Sequence, residues 1–321
     1  MRREIVIWSV VAAAIVAVFA GTVLILNTTL YSASGFVRGY LDTLVRHDVT
    51  AALDLAGLPE DTDASTELLA ADAMGELADV QLVSDTVDDR GIHQVVFSFT
   101  ADGKAGESSF SVRREGTLLA LFPTWEFDDS PLGVLQVSPL NGTGFTVNGV
   151  DVTATAQDVP SPYLVFAPGG YELAQDSLYL RASAVQVTVS QPGAAVIAAV
   201  DLKPTRAFLD AVQHEINTFL DECTTQEVLL PTGCPFGETI SNRIITAPDW
   251  SMSTYPPVTL LPGDEAGTWT MPPTTGAAHL LVDVRSLFDG SVSTFDRDVP
   301  FIASYDVTFL PGDQLLIQAL Y

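Results

Sequence analysis

The stretch IVIWSVVAAAIVAVFAGTVLIL, Ile5 to Leu26, contains no charged residue, and only Ser9 and Thr22 carry a hydroxyl. As a helix rising 1.5 Å per residue it extends about 33 Å, enough to cross a hydrocarbon core of roughly 30 Å. The run therefore divides the chain into a short tail (1–4), a transmembrane anchor (5–27) and a large remainder. Arg2 and Arg3 precede the span and Trp8 sits one turn into it. The positive-inside bias places the N-terminus in the cytoplasm and the bulk outside. A cleaved signal peptide competes with the anchor, because VFA ending at Ala20 offers a small-residue cleavage site. Its apolar region normally runs about 7–15 residues, shorter than this one. The expectation carried forward is an uncleaved, single-pass plasma-membrane anchor on Ile5 to Leu26.

Of 14 basic and 40 acidic residues, only Arg2, Arg3 and Glu4 precede Asn27, so the exterior part carries a formal −27. Such a surface repels nucleic acid and anionic headgroups and favours cationic partners, which excludes nucleic-acid binding from the expected functions. Only two of the basic residues are lysine, which suits a GC-rich bacterial genome. Both cysteines, Cys223 and Cys234, fall on the exterior side, where thiols oxidise. They bound a loop of about a dozen residues, whose closure is worth up to roughly 3 kcal/mol on the chain-entropy model. Neither C-x-x-C nor a second Cys/His cluster is present to complete a zinc or redox site, so a structural Cys223–Cys234 disulfide is expected.

Some 290 exterior residues lack a long low-complexity linker and read as three units, α+β and all-β in a multidomain arrangement. The first (32–127) opens with SASGFVRGYLDTLVRHDVTAALDLAGL. Ser34 can cap a helix with apolar Phe36, Val37, Tyr40, Leu41, Leu44 and Val45 at helical spacing; Asp48 can cap a second helix that stops at Gly57. Period-two strands follow, with Val95, Phe97 and Phe99 on one face of one and Phe110 and Val112 on the next. The second unit (131–202) is strand after strand between Gly, Pro and Asn turns, a small β-sandwich. VNG, Val147 to Gly149, favours a tight hairpin. Val185, Val187 and Val189 alternate with polar residues, as in a sheet with one wet face. The third (203–321) starts with a helix capped by Thr205, with Phe208, Leu209, Val212, Ile216, Phe219, Leu220 and Cys223 on one face, and continues as strands, an α+β unit bearing the disulfide.

Tyr40, Leu41, Leu44, Asp48, Ala52 and Leu53, followed by a four-strand meander, resemble the cystatin-like, or nuclear-transport-factor-two-like, cone domain of membrane-anchored bacterial proteins. FTVNGVDV followed by APGGYEL is similar to the small β domain of the teicoplanin-resistance-associated membrane proteins, with Pro168, Gly169, Gly170 and Tyr171 matching the turn. FLDECTTQEVLLPTGCPFG looks like a segment of actinobacterial anchored proteins of unassigned activity. These resemblances imply an envelope protein of a Gram-positive bacterium and no particular reaction.

Catalytic chemistry needs a constellation, and none is written in the chain. No G-x-S-x-G, H-E-x-x-H, G-x-x-x-x-G-K-[ST] or S-x-x-K occurs. There are four histidines. His214 lies one turn after Asp210 and can form an i,i+4 pair, although a solvated helix face explains both residues. His93 begins the strand bearing Val95 and is the one weak candidate binding residue, facing a cone interior or simply its edge. His47 precedes the Asp48 cap and suits a helix junction; His279, beside LLVDV, has no evident partner. The acidic clusters PEDTD, VDDR and FDDSP lack the alternating ligands of an EF-hand loop, and solvated loops account for them. No metal and no cofactor is expected.

The function expected is a membrane-anchored extracellular module that binds or scaffolds an envelope protein, a wall precursor or a lipid without catalysis. Two alternatives stay open. One is an enzyme using His93 and an acidic neighbour in the pocket of the first cone. The other is a sensor signalling through helix contacts at Ala12, Ala13, Ala14, Ala17, Ala20 and Gly21, small enough for close helix approach.

Overall fold

The protein is represented by a computed structural model that describes residues 2–59, 62–310, 312 and 314–320, with side chains from 7 onward except 10. Glu60 and Asp61 of the PEDTD cluster, Met1 of the tail, and the side chains of Arg2 and Arg3 lie outside that description. The fold is mixed α+β, with strand predominating over helix.

Helix α1 (Arg2–Thr28) contains the apolar run, and its segment Ile7–Thr28 is long and apolar enough to span a membrane. Thr22 Oγ1 donates to Val18 O at 2.9 Å and Thr28 Oγ1 to Leu24 O at 3.1 Å, so both hydroxyls bond within the helix itself. A sharp turn leads into α2 (Ala33–Val45). Its cap is Ser32 rather than Ser34: Ser32 has extended backbone and its Oγ accepts from Gly35 N–H at 3.0 Å, whereas Ser34 is already inside the first turn. Gly35 is required there, because a Cβ would collide with the carbonyl of Thr29 at the end of α1. Helix α3 (Val49–Ala56) is capped by Asp48, which accepts from Ala51 N–H at 3.1 Å, and it stops at Gly57 with φ 66°. Both features match the sequence expectation.

These helices cover an antiparallel meander, β1 (Leu77–Val87), β2 (His93–Ala101), β3 (Lys104–Leu118) and β4 (Phe122–Phe127), in that spatial order. Val95, Phe97, Phe99, Phe110 and Val112 are buried against Val37, Tyr40, Leu41 and Leu44 of α2. A single 3₁₀ turn, Ala71–Ala73, sits between helices and sheet.

Two sheets make up the second unit. One has strands β5 (Leu132–Leu140), β8 (Ser161–Phe166) and β11 (Ala195–Asp201), with β11 parallel to β5. The other has β6 (Gly144–Val147), β7 (Val150–Thr153), β9 (Gly169–Asp176), β10 (Leu180–Val189) and β12 (Lys203–Pro204). The β6–β7 hairpin turns through Asn148 and Gly149 at φ 48° and 85°, the tight turn that VNG foretells. Val187 and Val189 are buried, whereas Val185, in unbroken register with them opposite Leu173, is exposed.

The third unit packs α4 (Arg206–Thr224) on an antiparallel sheet dominated by the long hairpin β16 (Thr268–Arg285) and β17 (Val292–Leu310). Short strands β13 (Arg243–Ile244), β14 (Asp249–Thr254) and β15 (Leu261–Pro262) pair with β16, and β18 (Gln314–Ala319) pairs with β17. Cys223 and Cys234 are disulfide-bonded with their Cα atoms 5.9 Å apart. Gln226 laces the same loop, accepting from Thr232 N–H at 2.9 Å and donating to Thr232 O at 3.2 Å.

Contacts cross the limits between units. Leu132, Leu164 and Phe166 of the sandwich belong to the core under α2, while Leu68 and Ala73 of the first unit are buried in the sandwich core. Ser65 forms a parallel bridge to Tyr163. The buried Tyr40 hydroxyl lies 3.1 Å from both Pro131 O and Ala167 O, and burial pushes this phenol's pKa well above its ordinary value. At the far end β12 continues the β10 sheet directly into α4, and Tyr179 packs on Phe208 and Phe309.

Candidate functional site

Helix α4 is seated asymmetrically, and the asymmetry opens a groove. Thr205 caps it, its Oγ1 accepting from Phe208 N–H at 3.2 Å, and Phe208, Val212, Ile216, Leu220 and Cys223 form the buried stripe. One flank is tied to the segment before β15. Gln213 Nε2 donates to Pro256 O at 3.2 Å, Val258 N–H donates to Gln213 Oε1 at 3.0 Å, and the Tyr255 hydroxyl donates to the Asp221 carboxylate. That bond pushes the Tyr255 pKa up to about 12. The opposite flank, Glu215 and Phe219, overhangs β17 and β18 and leaves a groove of about 540 Å³. Ile216, Phe219, Tyr305, Leu315 and Ile317 supply apolar walls, and among the described residues Glu215 is the only charged one in the lining.

The outer wall of this groove is a sheet edge. Strand β18 pairs with β17 from Leu310↔Gln314 to Tyr305↔Ala319 without a bulge, and among the described residues no strand covers its other side. Leu320 N–H donates to Ser304 O at 2.8 Å, so by strand alternation the N–H groups of Leu315, Ile317 and Ala319 face away from β17. Sheets normally guard an edge with charge, proline or bulges. Strand β1, an edge of the first sheet, has two bulges and carries Asp79 and Asp85. QLLIQA of β18 has none of these devices. Its consecutive Leu315, Leu316 and Ile317, apolar on both faces, were the available sequence signal.

In the first unit a cleft of about 580 Å³ lies at the α1–α2 junction, lined by Leu30, Ser32, Arg38, Asp42, Leu82 and Phe97. Tyr40, Phe110 and Phe127 fill the concave face, with ring centroids of Tyr40–Phe127 and Phe110–Phe127 5.2 and 5.9 Å apart. His93 sits at the rim of this core. Its Nδ1 faces Asp85 Oδ1 at 2.7 Å and its ring meets the edge of Trp125 at 4.8 Å. An ionised carboxylate only accepts, so Nδ1 carries the hydrogen toward Asp85. That is half of an acid–base device; among the described residues no hydroxyl or thiol is hydrogen-bonded to Nε2. A second cleft, about 530 Å³, lies between the first two units and is lined by hydroxyls of Thr62, Ser109, Ser111 and Ser130 with Asp129.

No match to this chain is found among family models, curated proteins or solved structures.

The other histidines separate from one another. His214 is exposed on α4, and Asp210 is engaged by Arg206 at 3.7 Å rather than by the imidazole, so the anticipated i,i+4 pair is Arg206–Asp210. His47 takes φ 54° in the α2–α3 junction, a left-handed position that histidine tolerates better than most residues. His279 does have partners: Nδ1 lies 2.9 Å from Asp298 Oδ1 and Nε2 3.2 Å from Asp296 Oδ1. Both aspartates come from β17, and only the 16-to-17 register places them opposite His279 and its neighbour Leu281. Among the described residues no three His, Cys, Asp or Glu side chains converge as a metal ion would require.

Proposed function

We propose that this chain is a single-pass envelope protein, N-terminus cytoplasmic and bulk extracellular, that binds a partner protein without chemistry. In this view the first unit keeps the cystatin-like cone plan, the sandwich is a rigid spacer, and the third unit is the receptor. The unguarded β18 edge beside the α4 groove carries the proposal. An extended peptide adding to that edge gains backbone hydrogen bonds from Leu315, Ile317 and Ala319 and drops alternate side chains into the groove. The formal −26 of the chain and the lone Glu215 in the lining favour an apolar segment bearing positive charge over an acidic one.

The test uses the full chain in nanodiscs with a decapeptide of alternating lysine and valine as probe. Hydrogen exchange at Leu315, Ile317 and Ala319 slows on peptide addition, and oleate does not mimic the effect. Ile317→Pro removes one outward N–H while sparing the ladder to β17, and lowers peptide affinity at least tenfold with its fold intact by circular dichroism. Slowing by oleate alone assigns the groove to lipid and ends the strand-addition proposal; no slowing by either ends it as well.

A further inference from the structure

The turn joining β3 to β4 is apolar, whereas the β2–β3 and β6–β7 hairpins turn through Asp102-Gly103 and Asn148-Gly149. Between Glu115 and Glu126 there is no charged residue, and the tip reads Leu118, Leu119, Ala120, Leu121. Leu119 is 78% exposed, and Leu118 and Leu121 are exposed beside it. Leu119 and Ala120 both take positive φ, 53° and 56°. Two left-handed residues in succession form the turn for which Asn-Gly and Asp-Gly are suited. The same chain uses those pairs elsewhere, Asp102-Gly103 at 46° and 77° and Asn148-Gly149 at 48° and 85°. At the β3–β4 tip, leucine occupies a backbone conformation that a β-carbon disfavours. The side chain is thus retained against the local preference of the turn.

The tip has a fixed place relative to α1. Asn27 Nδ2, at the end of the apolar helix, donates to Leu121 O at 3.0 Å. Tyr31 stacks on Phe122 with centroids 4.4 Å apart, and Trp125 Nε1 donates to Tyr31 O at 2.8 Å. Leu30, 69% exposed, lies on the same connection. Tyrosine and tryptophan beside the end of a span are the residues that settle at a membrane–water boundary. Exposed leucines tied in this way to the end of an apolar helix match an acyl-chain boundary in chemistry.

We propose that the β3–β4 tip inserts Leu119 and its neighbours into the outer-leaflet interface, a second lipid contact that seats the first unit against the bilayer. This inference rests on the anchored reading of α1, and the experiment separates the two. The full chain is reconstituted in nanodiscs of phosphatidylcholine and phosphatidylglycerol. Its own cysteines are disulfide-bonded, so a single introduced cysteine accepts a polarity-sensitive nitrobenzoxadiazole label. Labels at Phe19→Cys, Leu119→Cys and Phe288→Cys report the span, the tip and a control, the last being 99% exposed at the β16–β17 turn. Brominated lipids are expected to quench Phe19→Cys and Leu119→Cys at least twofold more than Phe288→Cys. Quenching at Phe19→Cys with Leu119→Cys no more quenched than the control overturns the inference and leaves the anchor standing. Failure of Phe19→Cys to be quenched overturns the anchor and this inference with it.

Discussion

Gly170 shows how an absent side chain holds two units together. A Cβ there would collide with the carboxylate of Asp102, which reaches across from the β2–β3 turn and accepts from Glu76 N–H at 2.8 Å. Gly170→Ala should therefore lower stability by about 2 kcal/mol through overpacking, read from urea unfolding in micelles. Tyr255 gives a pH-dependent counterpart. Its phenol holds its proton more tightly in the folded chain, about 12 against 10.0, so the contribution is complete below pH 10 and fades as pH rises toward 12. Tyr255→Phe is expected to cost about 0.5–1 kcal/mol at pH 7, solvent screening of this partly exposed pair considered, with the difference from the parent chain vanishing near pH 12. At this scale, local chemistry was legible: Asp48, Gly57 and Thr205 do what their neighbours in sequence allow one to infer. Ser34 misled because two serines flank one helix start and only backbone conformation chooses between them. The partners of His93 and His279 were hidden, since each lies across a strand register that no local pattern specifies.

Helices and hairpins were read through their periodicity, and the buried stripe of α4 and the inward faces of β2 and β3 followed from it. Bulges were not, such as the one between Ala182 and Val185, and neither was the identity of the edge strand, since spatial order within a sheet is a nonlocal property. The β3–β4 hairpin yields a test at this level. In detergent micelles, where no bilayer is present, Leu119→Asn with Ala120→Gly supplies the residues the left-handed turn favours. The pair should raise unfolding free energy by about 1–2 kcal/mol. A fall in stability would mean that Leu119 serves the fold itself. The same expectation does not extend to Asn148-Gly149, where the turn already has its preferred residues.

Across the whole molecule the first two units exchange core residues, whereas the third is joined to them through β12 and the Tyr179 cluster. Unfolding should accordingly show the first two units melting together, because Leu68 cannot leave without opening the second and Phe166 cannot leave without opening the first. Replacing both Cys223 and Cys234 by alanine should weaken the third unit by about 2–3 kcal/mol, measured as earlier hydrogen exchange in β16 and β17 than in β2 and β3. The exchange of core residues between the first two units was not legible in the sequence, since Ser65 and Tyr163 are far apart in it and meet only in space. The bolted exit of α1 has a mechanical consequence. Asn27, Tyr31 and Trp125 tie the end of α1 to the β3–β4 hairpin, so on the anchored reading proposed above a bilayer thickness that changes the lean of α1 also tilts the first unit. On that reading, lipid thickness would set the angle at which the proposed partner approaches.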